Sequence, residues 1–415
     1  MRILWVKAGK LLPVDTGGKI RSYNILRLLA QDHQVTFLSY YGGRRDAEYE
    51  AAIRKELPGT ETIYTAAPDS TSFEQGLDYL RRFVASAPYA VSKFTHPEVR
   101  KTIAAWLAEG RFDVAVCDFL SASLNFPGQL KTPTVLFQHN VESSLWQRMA
   151  KTESNLIKKL SFSIESAKMT RYERAALRKF QRVIAVSDHD RQQMLALDPS
   201  CNITVVPTGV DVHKFTVAPA STANPPRIVF TGSMDWEPNT DAVDYFCHQI
   251  WPRIHAEFPN AIFQIVGRNP HSSVRRLASE SVEITGTVPS VADYLRDASV
   301  VVVPLRIGGG TRLKIFEAMA MGKALVSTSI GAEGLAVHSG RDLILADEAS
   351  EFADSILMLL RDSDVRRKYE LAAVQLASQF DWSRIVQQFA EVLNAAMITG
   401  GVERQTAGNT VSVSP

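Results

Sequence analysis

A glycine turn between a buried strand and a helix, within residues 299–335, constrains the fold of this chain more than any other feature. Residues 299–305 form an apolar run rich in valine, which is typical of a central strand in a parallel sheet that is covered on both faces. Three consecutive glycines, 308–310, lead into an amphipathic helical pattern over 313–320. A strand, a tight turn and a helix in this order predict an α/β fold with a parallel sheet.

The same turn is suited to binding an anion. The backbone N–H groups of Gly309, Gly310 and Leu313 lie at or beside the start of the helix, where the positive end of the helix dipole favours negative charge. Thr311 can cap this helix. The turn therefore predicts a phosphate site, and a turn that only reverses the chain is the alternative.

Charged side chains extend this prediction to a nucleotide. Arg312 and Lys314 place two cations beside the turn, and Glu317 follows one helical turn later, where it can accept a hydrogen bond from a ribose hydroxyl. A second glycine turn, 331–334, follows the next apolar run, 324–327. Because both turns would lie at the same sheet edge, they predict a nucleotide diphosphate site in a crevice there.

Composition and charge exclude several classes of protein. A length of 415 residues indicates two domains or more, and 45% hydrophobic with 22% charged residues is ordinary for a globular protein. A net charge of +2 gives no reason to expect nucleic acid as a partner. The three cysteines lack metal-ligand spacing and fit reduced thiols in a cytoplasmic protein.

The first residues resemble a strand more than a targeting signal. Residues 2–6 are apolar after the first charge, but Lys7 and Gly9 interrupt the run before it reaches the length of a signal peptide core. No window of about 18 apolar residues occurs in the chain. We therefore expect a cytoplasmic protein.

Strands and helices alternate along the chain, which predicts a doubly wound parallel architecture in each of two halves. Helical patterns separate the predicted strands, and a final amphipathic helix follows residue 382. The predicted strands are 2–6, 35–39, 114–117, 134–137, 182–186 and 203–206 in the first half, and 228–231, 262–266, 282–284, 299–305, 324–327 and 343–345 in the second.

Two features of the first half lie where parallel sheets bind ligands. Gly17 and Gly18 open the helix predicted over 19–31, which repeats the anion-site pattern more weakly, and a plain turn is the alternative. His139 follows the strand at 134–137, and carboxyl ends of parallel strands are the usual ligand edge. The alternative for His139 is a hydrogen-bonded loop residue.

Two further stretches of the first half invite a functional interpretation. The helix predicted over 156–180 is rich in lysine and arginine, so it can rest on an anionic membrane, and a solvated surface is the alternative. Asp188 and Asp190 have the spacing of a metal site. We expect no metal there, because Ser187 and Asp188 lie where the next helix needs its N-cap and Asp190 falls in its first turn.

The run GGGTRLKIFEAMAMGKALVSTSIGAEGL, residues 308–335, resembles the C-terminal signature of retaining glycosyltransferases of family 4, in particular a bacterial subset that assembles exopolysaccharides and cell-surface sugars. The resemblance implies the GT-B fold, with two Rossmann-like domains facing a central cleft. It assigns 1–208 to an acceptor-side domain, 209–226 to a linker and 227–382 to a donor-binding domain. The helix 383–396 would cross back onto the first domain, and 399–415 would be a disordered tail.

The resemblance also implies an activity and its residues. Such enzymes transfer a sugar from a nucleotide diphosphate sugar to a hydroxyl of a saccharide or lipid-linked acceptor, with retention and with no metal or other cofactor. His139 matches the active-site histidine that approaches the donor sugar. Gly17 and Gly18 match a loop beneath the donor phosphates, and backbone near Val288 would contact the base. With a lipid-linked acceptor, we expect contact with the inner face of the plasma membrane.

This chain departs from the family pattern at two places. The first glutamate of the usual motif falls on Gly309, and the second on Glu317. Where many members carry an arginine and a lysine that neutralise the diphosphate, this chain has Asp235 and Glu237, so we assign the cationic role to Arg312 and Lys314.

Arg268 follows another strand and either contacts the phosphate or base or caps a helix. Two other functions share the same fold and remain open at this point. One is a nucleotide-sugar epimerase, and the other is a non-catalytic protein that binds sugar nucleotides or polysaccharide.

Overall fold

The computed structural model describes residues 1–65, 78–79, 81–83, 85–128, 131–217, 225–308 and 313–409. The chain divides into two compact units. Unit 1 comprises Met1–Pro207 and Ile385–Pro415, and unit 2 comprises Thr208–Arg384. The pattern of residues 71–86 also predicts a helix, and these residues lie partly outside the described ranges, as does the predicted linker 209–226.

Unit 1 is built on a seven-stranded parallel sheet. Its strand order is β3-β2-β1-β4-β5-β6-β7, so the chain adds strands to one side of β1 and then to the other side. Four consecutive buried residues in β5 show why its apolar sequence forms an inner strand, covered on both faces. The strands are β1 Arg2–Ala8, β2 Gln34–Tyr41, β3 Thr60–Tyr64, β4 Val114–Asp118, β5 Thr134–Phe137, β6 Arg182–Ala185 and β7 Ile203–Val205.

The helices of unit 1 alternate with these parallel strands along the chain, as in a doubly wound fold. A 3₁₀ helix, Leu120–Asn125, follows β4. The α-helices are α1 Gly17–Asp32, α2 Ala47–Glu56, α3 Tyr89–Ser92, α4 Pro97–Ala108, α5 Glu142–Thr152, α6 Leu156–Lys179 and α7 Asp188–Leu197.

Unit 2 repeats the architecture with a six-stranded parallel sheet. Its strand order is β10-β9-β8-β11-β12-β13, which again reverses direction, here between β8 and β11. All four residues of β11 are buried, which confirms the prediction that this valine run is an inner strand. The strands are β8 Arg227–Thr231, β9 Ile262–Val266, β10 Val282–Gly286, β11 Val300–Val303, β12 Leu325–Ser327 and β13 Ile344–Leu345.

The helices of unit 2 cover both faces of that sheet around one apolar core. A π-helical turn, Phe246–Ile250, joins the first two of them, and a 3₁₀ turn, Ser378–Phe380, precedes the last helix of the chain. The α-helices are α8 Glu237–Tyr245, α9 Trp251–Glu257, α10 Ser272–Arg275, α11 Val291–Asp297, α12 Leu313–Ala320, α13 Ala349–Arg361 and α14 Ser363–Ala377.

The last helix, α15 Trp382–Asn409, starts in unit 2 and belongs to unit 1 from Ile385 onward. It runs past Ala396, where we predicted its end, and includes 397–409, most of which we predicted as a disordered tail. The tail prediction is therefore wrong for 399–409, and 410–415 lie outside the described residues. Extending an existing helix adds one hydrogen bond for each residue fixed, so a nucleated helix can continue through a polar, glycine-containing sequence.

Aromatic packing ties α15 into unit 1. The ring of Phe389 stacks on Trp5 of β1, with centroids 5.3 Å apart, and meets Phe137 of β5 edge-on at 5.1 Å. Phe389 is fully buried. One side chain from the end of the chain thus completes the core beneath the two strands that lead into the candidate site of this unit.

We expect Phe389→Ala to lower the free energy of unfolding of unit 1 by about 3–5 kcal/mol, because it removes a buried ring and leaves a cavity. Urea unfolding followed by tryptophan fluorescence measures the change. Gln388→Ala, at an exposed neighbouring position, is the matched control and should change stability by less than about 0.5 kcal/mol. Equal stabilities of the two variants would contradict the packing role.

Candidate active site

Three polar side chains meet at the carboxyl edge of the sheet in unit 1. Lys7 of β1 and Asp118 of β4 lie on the two strands between which the strand order reverses, and His139 follows β5, the next strand. Lys7 Nζ donates to Asp118 Oδ2 at 3.1 Å, and Asp118 Oδ1 lies 2.8 Å from His139 Nε2. Such a reversal point is where open α/β sheets bind ligands.

Asp118 is the centre of this group. Its carboxyl is completely buried, and it also accepts a hydrogen bond from Trp5 Nε1 at 2.9 Å. Burial alone would raise the pKa of this carboxyl, but the charge of Lys7 and the contact with His139 outweigh burial and hold the pKa well below its ordinary value. Asp118 is therefore an ionised acceptor at neutral pH.

The Asp118 carboxylate determines the tautomer of His139. An ionised carboxylate only accepts hydrogen bonds, so Nε2 of a neutral His139 carries the proton and Nδ1 is an acceptor. Burial lowers the pKa of His139 to about 4, since it outweighs the opposing effect of Asp118, and the imidazole is neutral at pH 7. Within the described residues, Nδ1 is buried and has no hydrogen-bond partner.

Gly18 lies directly beside that unpartnered nitrogen. A Cβ atom at this position would lie 3.2 Å from His139 Nδ1, so a side chain there would press on the imidazole. Gly17 and Gly18 are the first two residues of α1, and Thr16 caps this helix without a side-chain hydrogen bond. The structure thus brings together His139 and the Gly17-Gly18 turn, which we had selected separately.

Backbone strain occurs next to Asp118. Phe119 has φ 80° and ψ 153°, a region that residues other than glycine rarely adopt and that costs about 1–3 kcal/mol. This conformation places the Phe119 ring edge-on to His139, with centroids 5.1 Å apart, and the Phe137 ring lies 4.4 Å away. The two aromatic rings therefore pack against the buried imidazole.

A buried acid anchors the helix that follows His139. Glu173 of α6 is completely buried and accepts hydrogen bonds from the backbone N–H groups of Glu142 and Ser143, each at 3.0 Å. Gln138 Nε2 donates to the same carboxylate at 3.0 Å. Burial, and then the nearby charge of Glu173, raise the pKa of Glu142 to about 7. Sequence reasoning did not identify this pair of acids.

The raised pKa of Glu142 predicts a pH dependence of stability. Between pH 4.5, its ordinary pKa, and about 7 the folded protein binds more protons at this site than the unfolded chain, so the free energy of unfolding falls as pH rises. His139, with its lowered pKa, acts in the opposite direction between about pH 4 and 6.5. When the free energy of unfolding of a Glu142 variant is compared with that of the natural protein, the contribution of His139 cancels, because both proteins contain it.

We therefore expect the free energy of unfolding of Glu142→Gln to increase relative to that of the natural protein as pH rises from 4.5 to 7.5. The expected relative increase is on the order of 2 kcal/mol. Urea unfolding at pH 4.5, 6 and 7.5 measures this difference. Glu109→Gln, at an exposed carboxyl, is the control and should give pH curves parallel to the natural protein. Parallel curves for Glu142→Gln would contradict the raised pKa.

In unit 2 the loops after β8 and β9 approach each other closely. A Cβ atom at Gly267 would lie 1.6 Å from the carbonyl oxygen of Gly232, so only glycine fits there. Arg268 Nε donates to Ser233 Oγ at 3.0 Å, which favours the interpretation that Arg268 lies at this ligand edge. Arg268 is not a helix cap, because α10 starts at Ser272 with His271 at its N-cap.

The acids of the loop after β8 have structural contacts. Asp235 accepts hydrogen bonds from Ser233 Oγ at 2.5 Å and from Asn269 Nδ2 at 2.9 Å, and both contacts lower its pKa. Glu237 is exposed in the first turn of α8, where an acid offsets the helix dipole. These acids tie the two loops together and stabilise a helix.

Lys314 supplies a cation at the reversal point of the sheet in unit 2. Its Nζ donates to Asn239 Oδ1 at 2.9 Å, lies 4.1 Å from the centre of the Phe230 ring, and is 2.8 Å from where a Cβ at Gly232 would be. Asn239 is buried, with 3% of its surface exposed. Its Nδ2 also donates a hydrogen bond to the Ser233 carbonyl at 2.8 Å. The lysine of α12 is therefore held at the carboxyl end of β8.

Glu317 lies one turn further along α12. Burial raises the pKa of its carboxyl, and the nearby charges of Lys214 and Lys314 partly oppose this. Leu313 begins the helix, and Val288 lies half-buried between β10 and α11. The predicted phosphate-binding residues Gly309, Gly310, Thr311 and Arg312 lie outside the described residues.

Asp188 and Asp190 lie in the first turn of α7, where the prediction placed Asp190. Ser187 is the N-cap of α7, and its Oγ accepts a hydrogen bond from the backbone N–H of Asp190 at 3.0 Å.

In the described part of the chain, no group of three or more histidine, cysteine, aspartate or glutamate side chains is arranged to hold a metal ion. Among the described residues, no helix is long and apolar enough to span a membrane.

Sequence reasoning missed Lys7, Asp118 and Asn239. The signal that selected His139 was available for Asp118 as well, because this acid ends the apolar run of β4. Lys7 interrupts the apolar run of β1, and we used it only to argue against a signal peptide. Nothing local marks Asn239, which acts through its contact with Lys314, 75 positions further along.

Two family models match the chain, one over each half. The model described as Glycosyltransferase Family 4 matches residues 17–214, and the model described as Glycosyl transferases group 1 matches residues 225–362. The two matches include most of both parallel sheets. They support the transferase over the epimerase and the non-catalytic binding protein.

The proteins that are similar over most of the chain include a curated relative and two solved structures. A phosphatidyl-myo-inositol mannosyltransferase from Mycolicibacterium smegmatis is 27% identical over 336 residues, 76% of this chain and 81% of that protein. Sucrose-phosphate synthase from Thermosynechococcus elongatus has a TM-score of 0.68 at 15% identity, covering 96% of this chain and all of that one. Anabaena HepE in complex with UDP has a TM-score of 0.64 at 16% identity, covering 95% and 100%.

These similarities agree with the architecture of the two units. Each unit is a doubly wound parallel sheet flanked by helices, as expected for two Rossmann-like domains. The chain is therefore a glycosyltransferase with the GT-B fold, and its first half matches the model of family 4.

Proposed function

We propose that this enzyme transfers a sugar from a nucleotide diphosphate sugar to a hydroxyl of a saccharide or lipid-linked acceptor, with retention and without a metal ion. The observation that carries the proposal is Lys314, held by Asn239 at the reversal point of the sheet in unit 2. A lysine beside glycine turns at this edge suits a diphosphate.

The donor half of the proposed reaction needs positive charge where the leaving diphosphate becomes more negative. Lys314 supplies a fixed ammonium group, and Arg268 lies on the adjacent loop. We assign backbone amides of 309–313 and the side chain of Arg312 to the same task, and Glu317 to the ribose. Groups that are oriented before the reaction stabilise such charge without reorganising.

His139 is the residue of unit 1 that we assign to the reacting sugar. Its Nδ1 is a buried acceptor beside the start of α1, and Asp118 holds the opposite nitrogen protonated. A neutral imidazole in this tautomer can accept a hydrogen bond from a sugar hydroxyl. We assign the amides of Gly17 and Gly18, at the start of α1, to an anionic oxygen of the donor.

Retention requires attack on the face from which the diphosphate leaves. In the proposed step the bond from the anomeric carbon to the phosphate oxygen breaks and a bond to the acceptor oxygen forms. The acceptor proton passes to the departing phosphate oxygen. No separate carboxylate base is needed for this transfer, in contrast to hydrolases that use paired acids.

The proposed acceptor and location follow from the similar proteins. The Mycolicibacterium smegmatis relative is named for a lipid acceptor, phosphatidyl-myo-inositol, which supports a lipid-linked acceptor here. The UDP complex of HepE supports a nucleotide sugar as donor. We place the enzyme in the cytoplasm, in the assembly of exopolysaccharide or other cell-envelope saccharide.

Thermal unfolding with UDP, GDP, ADP, CMP and dTDP compounds, with and without EDTA, tests the donor. At about 100 times its dissociation constant, the correct diphosphate should stabilise the protein by about 2.7 kcal/mol and raise Tm by about 2–4 °C. We expect one base to act and EDTA to leave the shift unchanged. No shift with any nucleotide, or a shift abolished by EDTA, would contradict the proposal.

A further inference from the structure

An exposed apolar stripe covers the first turns of α6. Leu156 is 81% exposed, Ile157 83% and Leu160 63%, and Ile164 continues the stripe at 37%. At 100° per residue these four positions lie within an arc of about 100° on the helix surface. Large apolar side chains exposed together, rather than singly, indicate a contact surface.

This stripe lies opposite the packed face of α6. The buried residues Glu165, Ser166 and Met169 lie on the other side of the helix, and Phe162, on that same side, meets Trp146 of α5 edge-on at 6.0 Å. That contact holds α5 and α6 together as a helical hairpin. The stripe is therefore directed away from the body of unit 1 by the packing of its own helix.

Cations surround the stripe at the tip of the hairpin. Between residues 143 and 164 the chain has four basic residues and one acidic residue, Glu153. All four basic residues are exposed. Two end α5 and two belong to the first turn of α6: Arg148, Lys151, Lys158 and Lys159.

In the second half of α6, several basic side chains form contacts within unit 1. Lys179 donates to the backbone carbonyls of Ser123 and Phe126 at 2.9 and 2.7 Å, and Arg178 pairs with Asp198. Lys168 pairs with the buried Glu165 at 3.1 Å. These cations hold unit 1 together. The lysines beside the apolar stripe, by contrast, lie at the tip of the hairpin.

We propose that the hairpin tip, defined as residues 148–164, docks this enzyme on an anionic membrane surface. The apolar stripe would enter the boundary between headgroups and acyl chains, while lysine stems extend so that their ammonium groups reach the lipid phosphates. A second copy of the chain is a poorer occupant, because a two-fold contact would bring the same cations together. The proposal goes beyond the transfer reaction and does not depend on the identity of donor or acceptor.

Flotation of the full chain with vesicles tests the proposal. We expect at least tenfold more binding to vesicles of phosphatidylcholine with about 30% phosphatidylglycerol than to phosphatidylcholine alone, at about 0.1 M salt. The variant Leu156→Ser/Ile157→Ser/Leu160→Ser should lose at least tenfold of the binding to anionic vesicles. The variant Lys151→Gln/Lys158→Gln/Lys159→Gln should lose as much, and high salt should remove binding of the natural protein.

The matched control removes three exposed lysines elsewhere, Lys55→Gln/Lys101→Gln/Lys368→Gln, and should bind within about twofold of the natural protein. Circular dichroism and the nucleotide-induced Tm shift check that every variant is folded, and they report on the donor site separately. Equal binding to neutral and anionic vesicles, or unchanged binding of the serine variant, would overturn the proposal. A stable dimer that the serine variant converts to monomer would overturn it too.

Discussion

Replacing Asp118 by asparagine is expected to lower the rate of sugar transfer by about 10²-fold at saturating donor and acceptor. The amide can present an N–H group to His139 Nε2, which favours the other tautomer and removes the acceptor at Nδ1. It also removes the charge that pairs with Lys7. Donor affinity should change little, because the cations assigned to the diphosphate belong to unit 2.

Rates with purified variants and a saturating donor test this expectation. His139→Ala should lose a similar factor, and the double variant should lose little more than either alone, since both changes remove the same oriented imidazole. Asp113→Asn makes the same chemical change at a surface ion pair with Arg2 and is the control. A threefold effect or less in folded Asp118→Asn, or additive losses in the double variant, would contradict the role.

Replacing Lys314 by methionine is expected to weaken binding of the nucleoside diphosphate by about 10–100-fold, because a charge-assisted contact to phosphate contributes about 1.5–3 kcal/mol. Methionine retains an unbranched chain that can pack near Phe230 but carries no charge. Binding of the corresponding nucleoside, which lacks phosphates, should change by less than about threefold. Asn239→Ala should show a smaller loss, since it removes only the group that orients the lysine.

Titration calorimetry with the nucleoside diphosphate and the nucleoside measures both affinities. Arg253→Met removes a cation from a surface pair with Asp354 in the same unit and is the control. Binding to the natural protein should also weaken with salt more steeply than binding to Lys314→Met. If both ligands lose affinity equally, or if neither does, Lys314 does not bind the diphosphate.

Several elements were predictable because their patterns are local. The strands at 134–137 and 262–266 match the structure residue for residue, since each is an apolar run rich in residues that favour strands, bounded by polar or turn residues. The helix at 97–108 differs from the predicted 96–109 by one residue at each end, and the long helix at 156–179 ends one residue before the predicted 180. Helix ends fray, so differences of this size carry no meaning.

Other elements were missed because local pattern did not mark them. The amphipathic helix at 142–152 was not predicted, and its N-terminus is held by Glu173, a residue about 30 positions away. The helix beyond Ala396 continues through Gly400 and Gly401, which sequence reasoning takes as a stop. In both cases packing or helix propagation decides the structure, rather than residue preference.

The amino-acid sequence by itself determined the order of strands and helices, the two doubly wound halves, the glycine turns and the position of His139 at a strand end. Only the tertiary structure decided that Asp118 and Lys7 meet His139, and that Lys314 reaches Asn239. Sequence periodicity is a local signal, read over about one element. Parallel strands joined by crossover helices bring residues from distant elements to one sheet edge, so contacts there depend on strand order and register, which local patterns do not contain.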